Sequence, residues 1–439
     1  MMKKIYLSAL AFISIVLFSG GINAQECEEE VQDLRGKMEP WKKGAWETGE
    51  YRNLFLEAGY SQAEIDAKIQ KAYYDVFEGP DRVYFEVEDS LAYVSDLKNK
   101  DARTEGLSYG LMVAVQFDKK EVFDRLWRWT KKYMQHQEGP GEAYFAWSVD
   151  PKTGKHNAEG SASDGELYFV TALLFASNRW GNDTGIDYYG EARRILDEMW
   201  SKDGTEGVRN VINIEHKQIN FVPHDGGYDW TDPSYHVPAF FEVWAEYAND
   251  GHGEFYRAVA DTARVFLHRT THPKTGLTPD YAEFNGEPHS RGRMGDAFRY
   301  DSWRVPMNIA MDYSWYAKDI EWQQEYANRF QKFLYCEGIE TYVDQYNIDG
   351  STPEWILPAG GYQKLRHSLG LISTAGAASL MATHPKGWKF VDEVWEAKLE
   401  PYEDGYFDPY FDGLLYLFSL MHLSGNYQII TPQANQPGQ

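Results

Sequence analysis

The chain has 439 residues, a formal net charge of −24 at pH 7 and an aromatic content of 16%. A balance that acidic excludes nucleic acid and anionic membrane surfaces as partners. With only two cysteines, Cys27 and Cys336, no disulfide framework is implied, so stability is expected from a core. The aromatic surplus suits a carbohydrate ligand, because rings with one polar edge stack on sugar faces, although a large core consumes aromatics too.

Lys3 and Lys4, the apolar run from Ile5 to Gly21 and the small Ala24 read as a secretory signal peptide over residues 1–24. Cleavage near Ala24 would send the protein across the inner membrane, to the periplasm or beyond. Gln25 and Glu26 precede Cys27 where lipoprotein processing needs a small residue, so no lipid is expected there. No later stretch is apolar for long enough to span a bilayer. Residues 25–60 are charged and read as a loose N-terminal arm, and 61–430 as one large domain. Ser61 to Tyr74 opens with a capping-box pattern and is expected to be helical.

Next comes a polar loop, Asp101 to Glu105, followed at once by a helix of small and apolar residues. Gly106, Gly110 and Ala114 recur every four residues, a face with almost no side chain that can pack closely. Glu105 sits at the mouth of that helix, where an acid serves equally as a catalytic group or as an N-terminal cap. Five more stretches share this build, starting at Asp164, Asp232, Asp301, His367 and Asp408. The intervals are 59, 68, 69, 66 and then 41 residues. Between them lie amphipathic, charged helices near Glu121–Gln135, Asp187–Trp200, Gly253–Arg269 and Asp319–Tyr335. Six inner helices alternating with six outer ones predict an all-α (α/α)6 barrel, with an open superhelical solenoid as the alternative. Turn patterns at Asp150–Gly154 and His272–Gly276 predict hairpins at the cleft, with short strands near Tyr144–Val149 and Thr278–Phe284.

In such a barrel the inner-helix N-termini face one rim, so Glu105, Asp164, Asp232, Asp301, His367 and Asp408 would line one cleft. Several carboxylates among aromatics suggest glycoside hydrolysis, which needs one protonated and one ionised carboxyl. Arg304, one turn after Asp301, favours an ionised base there. Glu105 has no cation one turn on and is the better proton donor, although the helix dipole opposes this. Asp301–Arg304 also fits a structural ion pair, and Glu166 and Asp312 fit capping or packing roles. His236 and His367 lack partners at ligand spacing, so no metal and no cofactor is expected. Asp344 to Gly350 lacks the spacing and closing Glu of a calcium loop.

Arg103 to Met112, Ser163 to Phe169 and Tyr300 to Pro306 resemble the three characteristic blocks of glycoside hydrolase family eight, in order and spacing. The resemblance covers nearly the whole chain after the leader. It implies an (α/α)6 barrel and an inverting mechanism without metal, with Glu105 as general acid and Asp301 as general base. It also implies that Asp164 holds the central sugar, that Trp147 and Tyr235 line subsites, and that Arg304 adjoins the substrate. The Asp164 and Asp232 blocks are similar to the branch that releases single xyloses from the reducing end of xylooligosaccharides. In that branch a Leu-His-Pro loop closes the far subsite; here Ile356, Leu357 and Pro358 keep the Pro but put Leu at the His position. The wall is therefore placed in Ile356 to His367, with His367 offered to the free anomeric hydroxyl. An endo-β-1,4-xylanase and a non-catalytic secreted glycan-binding protein are the competing readings.

Overall fold

A computed structural model describes residues 33–432, apart from 89, 293, 294, 359, 360 and 362. The leader, Cys27 and part of the Ile356–His367 segment lie outside the described residues. Twelve helices build the body. The outer set is α1 (Gln62–Phe77), α3 (Lys120–Tyr133), α5 (Tyr188–Glu198), α7 (Gly253–Thr270), α9 (Ile320–Glu337) and α11 (Lys386–Glu396). The inner set is α2 (Thr104–Gln116), α4 (Ser163–Trp180), α6 (Pro238–Tyr247), α8 (Arg304–Trp315), α10 (Leu369–Ala377) and α12 (Phe411–Leu423). They form the expected (α/α)6 barrel.

The two sets differ in sequence for a physical reason. An inner helix is covered on every side, so α2 is buried without a break from Gly106 to Val115. An outer helix covers one stripe: α1 buries Ile65, Ile69, Ala72, Tyr73 and Val76 and leaves its other face to charges. Its start is fixed by the expected capping box, in which Ser61 N donates to Glu64 Oε2 at 2.8 Å and Glu64 N to Ser61 Oγ at 3.4 Å.

Closure brings the last inner helix back to the first. A Cβ on Gly106 would lie 2.4 Å from the Tyr410 ring, so only glycine admits the approach. The small face of α2 therefore receives a tyrosine side chain rather than a helix backbone. Along the barrel axis the inner helices fill the space with rings: Tyr109 meets Tyr168 at 4.7 Å and Phe418 at 5.3 Å, and Tyr168 meets Phe240 at 4.8 Å. Part of the aromatic surplus is thus core.

Three expectations change. The arm is not loose over its described part. Leu54 and Phe55 are fully buried, Tyr60 stacks on Trp395 at 3.8 Å, and Trp388 Nε1 donates to Gly36 O at 3.1 Å. The charges that made it look mobile pair instead, with Arg35 bridging Asp33 and Asp392. Cys336 is disulfide-bonded, although two cysteines implied no disulfide framework. The strands are shorter than expected: Ser148–Val149 pairs with Ala102–Arg103 on one side and His156–Ala158 on the other. Among the described residues, the Thr278–Phe284 stretch makes only single bridges, from Ala282 to Thr231 and Pro288. Pro279 lacks a backbone donor, and the Asp280 carboxylate is drawn to the Asp301 turn. Among the described residues, no helix is long and apolar enough to cross a membrane.

Candidate active site

The rim at the N-terminal ends of the inner helices holds a cleft of about 710 Å³, whose lining includes Glu105, Asp301, Asp408, Leu357 and Pro358. Short-range sequence order sets one wall. Ala102–Arg103 pairs with Ser148–Val149, and Thr104 N donates to Trp147 O at 3.1 Å. That pairing puts the Trp147 indole beside the first turn of α2, with Nε1 3.4 Å from Glu105 Oε2. The Arg103 guanidinium covers the Trp147 ring at 4.9 Å and is held by Asp101 at 3.1 Å and Asp96 at 3.4 Å.

Glu105 keeps part of its surface toward the cleft, while protein packs densely around its carboxyl. Burial pushes it up to about 8; Asp164 and Asp301 add to the effect, and Arg304 and Arg103 oppose it. This carboxyl is therefore protonated at neutral pH, and the helix dipole loses to desolvation.

Beneath the cleft floor, Arg304 joins three carboxylates that the sequence scatters. It donates to Asp164 at 2.9 Å, to Asp301 at 3.0 Å and to Asp232 at 3.4 Å. It also reaches Tyr109 Oη at 3.3 Å, and its guanidinium lies 5.6 Å from the Tyr235 ring. Arg304 is as buried as Asp164 and ties the three carboxylates together. One cation cannot neutralise three anions. Asp232 is held well above the usual carboxylate range by burial and by Asp301, even though it also faces the guanidinium. The two observations conflict only if Asp232 is assumed to be ionised. With its side chain fully buried and that of Asp301 30% exposed, the retained proton belongs on Asp232. Asp164 is likewise raised by burial, with Arg304 opposing.

Asp301 stands in a turn built by a residue the sequence did not single out. Asp280 Oδ1 accepts from Arg299 N at 3.1 Å, Ser302 N at 3.1 Å and Ser302 Oγ at 2.8 Å, fixing both sides of Asp301. Asp232 caps its own turn, accepting from Ser234 N at 2.7 Å. Asp408 lines the cleft but is committed to Lys98 and to the α12 start, through Phe411 N at 2.9 Å.

His367 is not in this cleft. Its Nδ1 faces Tyr342 O at 2.8 Å and its Nε2 faces Glu393 Oε1 at 2.9 Å, so both nitrogens are engaged away from Glu105 and Asp301. The expected role at the anomeric hydroxyl is corrected accordingly. His236 is a core residue, stacked on Phe266 at 4.0 Å with Nε2 on Thr231 Oγ1. Asp312 is a packing group held bidentate by Arg264 at 2.7 and 2.9 Å, and Glu166 is wholly buried. Tyr410 was missed as a site residue: it lines the cleft, and among the described residues its buried hydroxyl has no partner. The only sequence signal for it was its place at the start of the sixth repeat.

A buried proton-bearing carboxyl facing a part-exposed carboxylate in one cleft can give a proton to one oxygen and take one from a water. Comparison with known proteins agrees. The chain is 39% identical over 394 residues to the reducing-end xylose-releasing exo-oligoxylanase Rex8A of Paenibacillus barcinonensis, covering 88% of this chain and 98% of that protein. It is 39% identical over 405 residues to the reducing end xylose-releasing exo-oligoxylanase of Halalkalibacterium halodurans, covering 91% and 99%. The structure of Rex8A complexed with xylose matches with a TM-score of 0.80 at 38% identity, covering 89% of this chain and all of that one. The family model for glycosyl hydrolases family 8 matches residues 91–354, and the chain belongs to that family.

Proposed function

We propose that this protein hydrolyses β-1,4-linked xylooligosaccharides with inversion, releasing xylose from the reducing end. The observation that carries the reading is the pairing of Glu105, whose carboxyl burial holds in its acid form, with Asp301, part-exposed and bonded to Arg304 at 3.0 Å. Glu105 protonates the glycosidic oxygen as the C–O bond breaks. Asp301 takes a proton from the water that attacks the anomeric carbon from the opposite face, so the configuration inverts. Asp164, tied to Arg304 at 2.9 Å, holds the sugar between them, and Trp147 and Tyr235 supply ring faces.

Reducing-end action is supported by the names of the two relatives and by Leu357 and Pro358 at the cleft, which can wall off the far subsite. The site is assigned to residues within a catalytic domain over 61–430. The arm over 25–60 follows a leader over 1–24 that takes the protein out of the cytoplasm. The disulfide at Cys336 supports that export, since such bonds persist in oxidising compartments. The test is product analysis. Xylotriose should give xylose and xylobiose, the new reducing end appearing first as the α-anomer by proton NMR. Equal cleavage of reduced xylotriitol, or a ladder of oligomers from xylan, would overturn reducing-end action, and a β-anomer would overturn inversion.

A further inference from the structure

Behind the Trp147 wall, three side chains from two separate segments meet on the surface. His136 follows α3, His156 opens the strand His156–Ala158, and Glu159 comes directly after that strand. One ligating atom of each lies within 4.8 Å of the others. Sequence spacing hides the set, because twenty residues separate the two histidines and the hairpin brings them back together.

Hydrogen bonding around His156 calls for one positive charge between its ring and Glu159, a proton or a metal ion. Nε2 lies 2.8 Å from Tyr133 O, and a carbonyl only accepts, so Nε2 carries the ring hydrogen. A neutral ring then points the Nδ1 lone pair at Glu159 Oε2, 2.6 Å away. Two acceptors at that distance repel unless a positive charge lies with them. A backbone carbonyl that accepts one ring N–H and so fixes the tautomer is also how metal-bound histidines are oriented. The His136 ring faces the same residue: its Nε2 donates to Glu159 O at 3.0 Å, which leaves Nδ1 as the ligating atom, and its plane lies at 85° to that of His156. Two imidazoles and one carboxylate, with an open side toward solvent, are a borderline-soft donor set with room for water as the fourth ligand.

We propose that His136, His156 and Glu159 form a binding site for a divalent transition-metal ion of the Zn²⁺ class, separate from the catalytic carboxylates. The ion ties the segment after α3 to the hairpin. It also steadies the wall of the cleft, since Trp147 N donates to Gly160 O at 3.0 Å next to Glu159. This site does not depend on the glycosidase reading, and its test reads binding rather than turnover.

The test uses untagged full-length protein stripped with EDTA. Calorimetric titration with ZnCl₂ should show one ion per chain, Zn²⁺ should raise Tm by mass action, and Ca²⁺ should do neither. Co²⁺ should give a visible absorption band of four-coordinate geometry. His156→Gln and Glu159→Gln should each weaken Zn²⁺ at least about tenfold and abolish the band, as loss of a ligand should cost no less than loss of its supporting partner. His216→Gln, at an exposed histidine elsewhere, should bind as the parent does. No saturable binding at millimolar Zn²⁺ would mean that His156 and Glu159 form only a proton-bridged ion pair, and overturns the site. Binding left intact by both substitutions overturns it too, by placing the ion elsewhere. The Co²⁺ band on the unmodified protein keeps the test valid if a variant fails to fold.

Discussion

Arg304 Nη2 donates to Asp301 Oδ1 at 3.0 Å within a single helical turn, and the other arm of the same guanidinium holds Asp164 at 2.9 Å. The fork therefore sets the distance between the proposed base and the residue proposed to hold the sugar. A lysine has one point charge and cannot grip both. Arg304→Lys should fold but lose turnover far more than substrate affinity, seen as a drop in kcat with a small change in KM. Arg304→Met leaves Asp164 buried without its cation, which costs about 3–5 kcal/mol in urea unfolding. A Met variant as stable and active as the parent would remove Arg304 from the site's design.

Glu105 and Asp301 have separable effects. Glu105→Gln should lower turnover of xylooligosaccharides by roughly 10²–10⁴, the usual contribution of a proton donor. It should recover much of that on an aryl xylobioside, whose leaving group needs no proton. Asp301→Asn should be slow on both substrates. Equal rescue of both variants would sink the assignment of roles.

The pH profile follows from the same carboxyl. Glu105 is raised from 4.5 to about 8, so its proton is present through neutral pH and is lost as pH rises past 8. The alkaline limb of kcat/KM should fall near there. Asp164 is the charge that raises Glu105 most, so in Asp164→Asn the limb should move to lower pH. A limb that stays put in that variant would show that another group sets it.

The sequence exposed the barrel because each inner helix repeats one recipe, a polar loop and then small and apolar residues, that burial on all sides demands. It exposed Glu105, Asp164 and Asp301 because helix N-termini in a closed ring must converge. What stayed hidden depends on pairs distant in sequence. Glu393, 26 residues beyond His367, takes that ring away from the cleft. Asp280 builds the Asp301 turn from 22 residues before Ser302. Arg304 looked like a partner for Asp301 alone, since helical spacing reveals only the neighbour on its own turn. Asp33 and Asp392 turned an apparently mobile arm into a packed one for the same reason.

Buried acids also tie stability to pH. Glu166 is wholly buried, and burial pushes it from 4.5 up to about 8. Between those values the folded chain keeps a proton that the unfolded chain releases. A raised folded pKa gives stability that is whole below 4.5 and is lost as pH climbs to 8, by roughly 1.4 kcal/mol per pH unit for one group. Asp280 and Asp412, both pushed up to about 7 by burial, act in the same direction. The urea midpoint should fall steadily from pH 5 to pH 8, and Glu166→Gln should flatten the slope by about one proton. A midpoint that rises across this range would contradict the buried protons.

In the wall of the cleft, one side chain clamps Leu357. Gln345 Oε1 accepts from Leu357 N at 2.7 Å and Gln345 Nε2 donates to Leu357 O at 3.0 Å, so a single amide clamps both polar groups of that backbone unit. Among the described residues lining the cleft there is no histidine, and His367 is spent on Glu393 and Tyr342. Exclusion of longer chains then rests on the shape of the Leu357–Pro358 backbone rather than on a hydrogen bond to the anomeric hydroxyl. Gln345→Ala removes both bonds, each worth about 0.5–1.5 kcal/mol, and frees the wall. It should raise activity on polymeric xylan and on reduced xylotriitol relative to xylotriose, with the xylotriose rate little changed. Gln345→Glu keeps the acceptor for Leu357 N and sets a carboxylate against Leu357 O, so it should loosen the wall as well. The ratio of xylotriose to xylotriitol turnover measures this directly. An unchanged ratio in both variants would mean that the discrimination resides elsewhere in the cleft.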